Sequence, residues 1–219
     1  IEDNEYNKDS DFGKHIIPRM INNEDKLYAY RFDSYWKDVG TIESYWQANM
    51  ELIETLPSFN LYEEFWKFYT NLDHQPPQYV GEAADVKRSI MSEGSEVYGN
   101  VYSSVLGPGV IIEEGATVRD SIIMAGTIIQ EGCVLDRCIV SENCVIGKNV
   151  IIGEGENIAN IEKPDIYYTG ISVIGEQTII PDNVWIGKNC VVFGTTRLSD
   201  YNDRILESGQ SLILEGVES

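Results

Sequence analysis

The apolar residues between Leu106 and Gly153 recur on steps of six, six and five: Leu106, Ile112 and Val118, then Ile123, Ile129 and Leu135, then Val140, Ile146 and Ile152. Equivalent residues return every seventeen positions, which fits neither the period of an amphipathic helix nor the alternation of a half-buried strand. Four residues after each stands a small or aliphatic side chain: Val110, Ala116, Ile122, Thr127, Cys133, Ile139, Cys144 and Val150. This hexapeptide pattern predicts a mainly β fold, a parallel β-helix. Three short strands and three tight corners make one coil. The leading aliphatic of each hexapeptide points inward and stacks on its equivalent one coil away, at the strand spacing of ~4.8 Å. A single coil cannot bury its own core, so the repeats stabilise one another. Gly107, Gly109, Gly115, Gly126, Gly132, Asn143, Gly147, Asn149 and Gly153 sit where the chain must turn, and glycine and asparagine accept such backbone angles at low cost. An accidental run of Ile and Val in a sandwich would hold no fixed period.

The ladder extends both ways. Val86 to Ile90 resembles the five-residue side at Val118 and Leu135, which places the start of the β-helix near Val86 with a shortened first coil before Val101. Residues 154–172, rich in Asn, Glu and Tyr, interrupt the ladder, which resumes at Ile174, Ile180, Ile186 and Val192. The interruption is expected to loop out from a coil edge, and loops on rigid scaffolds often carry binding. Leu212 to Leu214 is the one apolar segment of the tail and is expected either to cap the open end or to return to an interface, because a bare terminal coil is an exposed sheet edge. Lys163, Lys188, Arg197 and Arg204 are cations available in this region for an anionic effector, and Tyr98, Val101 and Tyr102 near one end would suit a subunit contact.

All four cysteines lie inside the repeat. Cys133, Cys144 and Cys190 take the inward small-residue slot, where a thiol is a modest hydrophobe. No pair among Cys133, Cys138 and Cys144 is separated by seventeen, and no zinc spacing is present, so buried structural thiols in a reducing, cytoplasmic setting are expected. The net charge of -20 excludes a nucleic-acid partner, since a phosphate backbone needs a basic face. A small nucleotide substrate needs only local cations or a metal. No apolar run approaches the ~20 residues of a membrane span. The first residue is Ile1 rather than Met, which suggests a piece of a longer protein.

Ahead of the repeat, Ile1 to Lys8 is polar and reads as a loop, Ser10 to Pro18 as a polar start followed by a short apolar segment stopped at the proline, and Leu27 to Phe32 as an alternating strand. Tyr35-Trp36-Lys37-Asp38-Val39-Gly40-Thr41 is the most chemically suggestive stretch. Thr41 is a plausible N-cap for a helix whose apolar face runs from Ile42 to Leu56, ended by Pro57. An aspartate just ahead of that helix lies in its positive field; the plain alternative is that Asp38 is a second cap. The aromatics from Phe59 to Tyr69 are expected to pack as core, with two helical turns between Tyr62 and Tyr69.

These motifs, in this order and spacing, resemble the bacterial glucose-1-phosphate adenylyltransferases: Ser10-Asp11-Phe12-Gly13-Lys14 with Ile16-Ile17-Pro18, a tyrosine-rich strand, the Tyr-Trp-x-Asp-Val-Gly-Thr element, a helix carrying Ala48-Asn49, and a hexapeptide β-helix. The resemblance implies a left-handed β-helix preceded by the C-terminal remnant of an α/β nucleotidyltransferase domain, divided as 1–56 (end of that domain), 57–85 (linker) and 86–219 (β-helix). It implies ATP and glucose 1-phosphate as substrates, ADP-glucose and pyrophosphate as products in glycogen synthesis, and a homo- or hetero-tetramer with the β-helix serving assembly and allosteric control. Asp38 corresponds to the family aspartate that helps hold Mg2+, both catalytic and metal-binding, and Trp36 to the tryptophan beside the glucose. The family's glycine-rich nucleotide loop, first magnesium aspartate and Glu-Lys-Pro element belong upstream of Ile1, so the fragment alone is expected to be inactive. Glu162-Lys163-Pro164 repeats those letters within the insertion and is not that element. A non-catalytic regulatory subunit and a pyrophosphorylase for another sugar nucleotide are alternatives. A hexapeptide acyltransferase would share the β-helix but calls for a histidine base beside the coil, and His15 and His74 both lie outside it.

Overall fold

A computed structural model describes residues 11–65, 67 and 74–214. The loop expected at Ile1 to Lys8, Ser10, and the aromatics Trp66, Phe68 and Tyr69 lie outside the described residues. Contacts divide the chain into two compact units, one running to Tyr35 and one from Trp36.

In the first unit, Asp11 opens a π-type turn over Phe12–Ile16 by accepting the Lys14 amide at 2.6 Å. That amide and the Lys14 charge hold the Asp11 carboxyl below its usual range. Helix α1 follows at Ile17–Asn22. Pro18 does not stop the chain there; it sits in the first turn of α1, where its missing N–H has no helical partner to lose. The strand expected at Leu27 to Phe32 is also absent. No described strand lies beside this segment, and alternation without a ladder partner leaves the backbone irregular.

In the second unit three parallel sheets of six, seven and seven strands form the faces of a solenoid. Within the regular coils each residue pairs with the one seventeen later, as in Ile111, Ile128 and Val145 on one face and Thr117, Val134 and Ile151 on the next. The head residues Leu106, Ile112, Val118, Ile123, Ile129, Leu135, Val140, Ile146 and Ile152 are all fully buried. Ile174, Ile180, Ile186 and Val192 continue the same core after the interruption. The first coil is shortened as the sequence indicates, with Asp85 pairing Asn100. The first strand, Tyr79–Val80, pairs with Glu96–Val97 ahead of Val86, so the solenoid starts earlier than the aliphatic ladder suggests. At the other end Leu212 packs against the core as the last rung of its sheet. Ser211–Ile213 adds a final strand beside Val191–Phe193, while Tyr201 closes the core with its hydroxyl on Thr196 Oγ1 at 2.8 Å.

The corners use two kinds of residue. Gly109, Gly115, Gly126, Gly132, Asn143 and Asn149 take positive φ as expected, but so do Arg88, Ser103, Asp120 and Arg137, the corner that follows the three-residue strands. Gly107 and Gly147 do not. A Cβ on Gly107 would meet the Ala125 amide nitrogen at 2.7 Å, so close stacking rather than turning explains that glycine.

The slot four residues after each head is uniformly inward only on the six-residue sides. Ile122 and Ile139, which follow the five-residue step, point out of the solenoid. Cys138 instead turns inward, with its amide on Ser121 Oγ at 3.1 Å, and the Ser121 amide continues the stack to Ser104 Oγ at 3.2 Å. The outward pair is nevertheless buried, because helix α2 (Ile42–Leu52) lies over it with Ile42, Tyr45, Trp46 and Met50. Thr41 caps α2 through a capping box with Ser44. The helix ends at Leu52, before the expected Leu56, where the buried Ile53 presents its carbonyl to Arg88 Nε at 3.4 Å. Between Asn60 and Phe65 side-chain bonds from Asn60 and Glu63 to amides two residues on compete with a helix. Tyr62 and Phe65 are exposed rather than core, among the described residues.

All four thiols are buried and free. Burial pushes Cys133, Cys144 and Cys190 up to about 11 and Cys138 to about 12. Because their folded values are raised, these thiols favour the native state below the ordinary thiol range, and that contribution is lost as pH rises towards about 11. In the native protein at pH 8, peptide mapping after a thiol-directed reagent should find these four unmodified, and all four modified in denaturant. Ile146→Ala should cost about 2–5 kcal/mol in denaturant unfolding, since the cavity is walled by the coils above and below.

Candidate functional site

The segment that leads into α2 carries the two expected site residues. Asp38 is exposed, and its Oδ1 accepts the Gly40 amide at 2.9 Å, so it is in part the cap that its position suggested. Trp36 is 75 % exposed beside it. Lys37, between them, is ion-paired with Glu51 in the last turns of α2, which pins the segment along its own helix. The orientation of Asp38 is thus inherited from α2 through Gly40 and the Thr41 capping box.

A cleft of about 360 Å³ opens next to this segment. One wall is the start of α2, from Val39 to Glu43 with Tyr45. The other is the end of the insertion, which stops at Ile171 rather than Ser172 because Ser172 opens the next strand, and it contributes Asp165, Ile166, Tyr168 and Thr169. The insertion is therefore not a free excursion. Coil registers jump from seventeen to thirty-four across it, as from Ile151 to Trp185, a net addition of one coil's length. It is held down at Asn189, a fully buried corner residue with φ +56°. Asn189 Oδ1 accepts the Gly170 amide at 2.6 Å, and its Nδ2 donates to Asn157 Oδ1 and to the Ile158 carbonyl, both at 2.7 Å. Asn160 completes the seam, donating to the Asn189 carbonyl at 3.1 Å.

Sequence reasoning missed the network that joins the two walls. Trp46 Nε1 donates to the Asp120 carbonyl at 2.7 Å, and the Arg137 guanidinium lies 4.2 Å from the Trp46 ring centroid. Arg137 Nε also donates to the Thr169 carbonyl at 3.2 Å. Burial, then the neighbouring Asp136, raise the Asp120 carboxyl, with Arg137 and Arg88 opposing. The available signal was the pair of adjacent aliphatics Ile122-Ile123 and Ile139-Val140. One of each pair must face away from the coil core, and something must cover it.

Among the described residues no three His, Cys, Asp or Glu side chains gather as a metal cage. Asp38 offers a single exposed carboxylate, which suits an ion held by one or two carboxylates together with substrate phosphates. Lys163, Lys188, Arg197 and Arg204, the cations expected to be available for an anionic effector, line neither this cleft nor the shallow acidic depression at Tyr98, Glu113, Glu114 and Glu131.

Comparison with known proteins agrees with this architecture. The Nucleotidyl transferase family matches residues 1–55, and the GlmU-like, C-terminal hexapeptide family matches residues 76–174. The class is therefore a nucleotidyltransferase segment joined to a hexapeptide β-helix. Curated relatives refine it. A glucose-1-phosphate adenylyltransferase of Lachnospira eligens is 56 % identical over 95 % of this chain and 49 % of its own length. Those of Acetivibrio thermocellus and Thermotoga maritima are 43 % and 50 % identical over 95 % and 97 % of the chain, and 49 % and 51 % of their own lengths. The chain is similar along nearly its whole length to these glucose-1-phosphate adenylyltransferases and spans about half the length of the curated relatives it matches.

Asn189→Ala would leave the Gly170 amide without its acceptor and place a Cβ-bearing apolar residue at positive φ. The expected cost is about 1–3 kcal/mol for the orphaned group, with new protease cleavage confined to 154–171. Limited proteolysis read by mass spectrometry checks it.

Proposed function

We propose that this chain is the C-terminal half of a glucose-1-phosphate adenylyltransferase. In the whole protein an oxygen of glucose 1-phosphate attacks the α-phosphorus of ATP, the α–β bridging bond breaks, and pyrophosphate leaves with the electron pair, giving ADP-glucose. The observation that carries the reading is identity of 43–56 % to relatives of that name along nearly the whole chain. On the resemblance, residues 1–56 end the catalytic domain, 57–85 link, and 86–219 form the β-helix domain; the family matches over 1–55 and 76–174 support that division.

Trp36 offers a flat apolar surface for a sugar ring, and its exposure leaves the indole face free for that use. Asp38 supplies a carboxylate whose position is fixed by Gly40 and whose remaining oxygen is free to approach a divalent ion. Mg2+ bound there would screen the negative charge that crowds the reacting phosphates. Asp38 is the only ligand we assign to it in this chain, so the nucleotide-binding loop and the remaining ligands belong to the rest of the protein and the half-length chain alone is inactive. Assembly into a tetramer through the β-helix and residence in the cytoplasm complete the proposal. No described helix is long and apolar enough to cross a membrane.

The test is pyrophosphate release by the full-length protein with Mg2+, ATP and glucose 1-phosphate. Asp38→Asn should lower the rate by about a hundredfold or more, because the variant keeps a cap oxygen for Gly40 but loses the charge. Absence of turnover in the folded, unmutated protein would favour a regulatory subunit or another sugar nucleotide.

A further inference from the structure

The insertion and the Asp38 segment approach one another across the cleft; Ile171 at the end of the insertion packs with Ile42, Tyr45, Trp46 and Met50 of α2, and the polar contact that ties the two together runs through one side chain. Arg137 occupies a corner of the solenoid with φ +49° and stays outside the core. From there it makes two unlike contacts. Its guanidinium face rests on the Trp46 ring, one turn into α2, and its Nε–H holds the Thr169 carbonyl at the end of the insertion. Gly170, next in the chain, takes φ +83°, a backbone conformation that favours glycine and turns the insertion back towards the coils. Behind Thr169 the insertion is fixed to the coils by the Gly170 amide on Asn189. Ahead of Trp46, α2 passes through its capping box to Gly40, whose amide holds Asp38.

We propose that Arg137 is a positioning residue that clamps the 154–171 insertion to α2 and thereby sets the orientation of Asp38. Its role rests on the reading of Asp38 as part of the sugar-phosphate and metal site. The two functions of the guanidinium are separable. A lysine retains a cation over the indole but has no Nε–H in the rigid planar fork that reaches Thr169; a methionine retains bulk and neither function. Movement of α2 about Trp46 displaces the start of the helix as a unit, so loss of the clamp acts on substrate placement at Asp38 rather than on the solenoid, whose core Arg137 does not enter.

The experiment uses the full-length protein carrying Arg137→Met or Arg137→Lys, with hydrogen exchange and kinetics measured on each. In Arg137→Met the Gly40 and Gly170 amides should both exchange several-fold faster while amides of the inner coils are unchanged. Arg137→Lys should speed Gly170 and leave Gly40 close to its unmutated rate. The half-saturating glucose 1-phosphate concentration should rise several-fold in Arg137→Met, with that for ATP within twofold. The proposal is overturned if Arg137→Met leaves Gly40 exchange unchanged, if exchange rises equally throughout the solenoid, or if both half-saturating concentrations rise in parallel. Should Arg137→Met fail to fold, the Lys variant decides by the same contrast between Gly170 and Gly40. Lack of turnover in the unmutated protein would remove the functional reading, and the exchange measurements would still decide the clamp.

Discussion

Coil-on-coil stacking of inward aliphatics is the interaction on which this molecule depends. Each head residue has a like residue above and below, in register, and so buries its side chain without any help from distant chain segments. Burying such a side chain contributes about 1.5–3 kcal/mol, and the gain repeats with every coil. The same stacking imposes the corner chemistry. Where coils approach most closely a Cβ has no room, as at Gly107, and where the chain turns through positive φ a glycine or asparagine often serves, though the corner after the three-residue strands uses Arg88, Ser103, Asp120 and Arg137.

The second level of organisation lies on the outside of one face. The five-residue step of each coil turns Ile122 and Ile139 outward, where they pack with Ile171. That stripe would be an exposed apolar patch if α2 did not cover it. The covering helix is the one that the Asp38 segment leads into, so the solenoid serves as the platform on which the proposed substrate-binding segment is oriented. The 154–171 insertion then builds the opposite wall of the cleft from the same platform. Rigidity comes from the β-helix and chemistry from two short segments pinned to it, the usual division between scaffold and loops.

How much was legible in the sequence varied with the range of the forces involved. The coil period, the short first coil, the place of the interruption and the burial of the thiols are set by neighbours seventeen residues away and repeat, so pattern alone reveals them. The slots of Ile122 and Ile139 did not follow the pattern, because the shorter side changes which residue turns inward and hands the small slot to Ser121 and Cys138. Leu27 to Phe32 alternates as strands do, but a strand exists only beside a partner, and none is described there. The start at Tyr79 was hidden because a terminal strand needs no inward aliphatic ladder to pair with its neighbour.

The sequence by itself determined the solenoid, its period and the presence of Trp36 and Asp38 ahead of a capped helix, since local propensity and a repeated hydrophobic step are sufficient for each. Only the tertiary structure decided where that helix lies, that the insertion returns to face it, and that Arg137 bridges the two. Those contacts join residues far apart in the chain through single side chains such as Trp46 and Asn189, and a non-repeating long-range contact leaves no period to read.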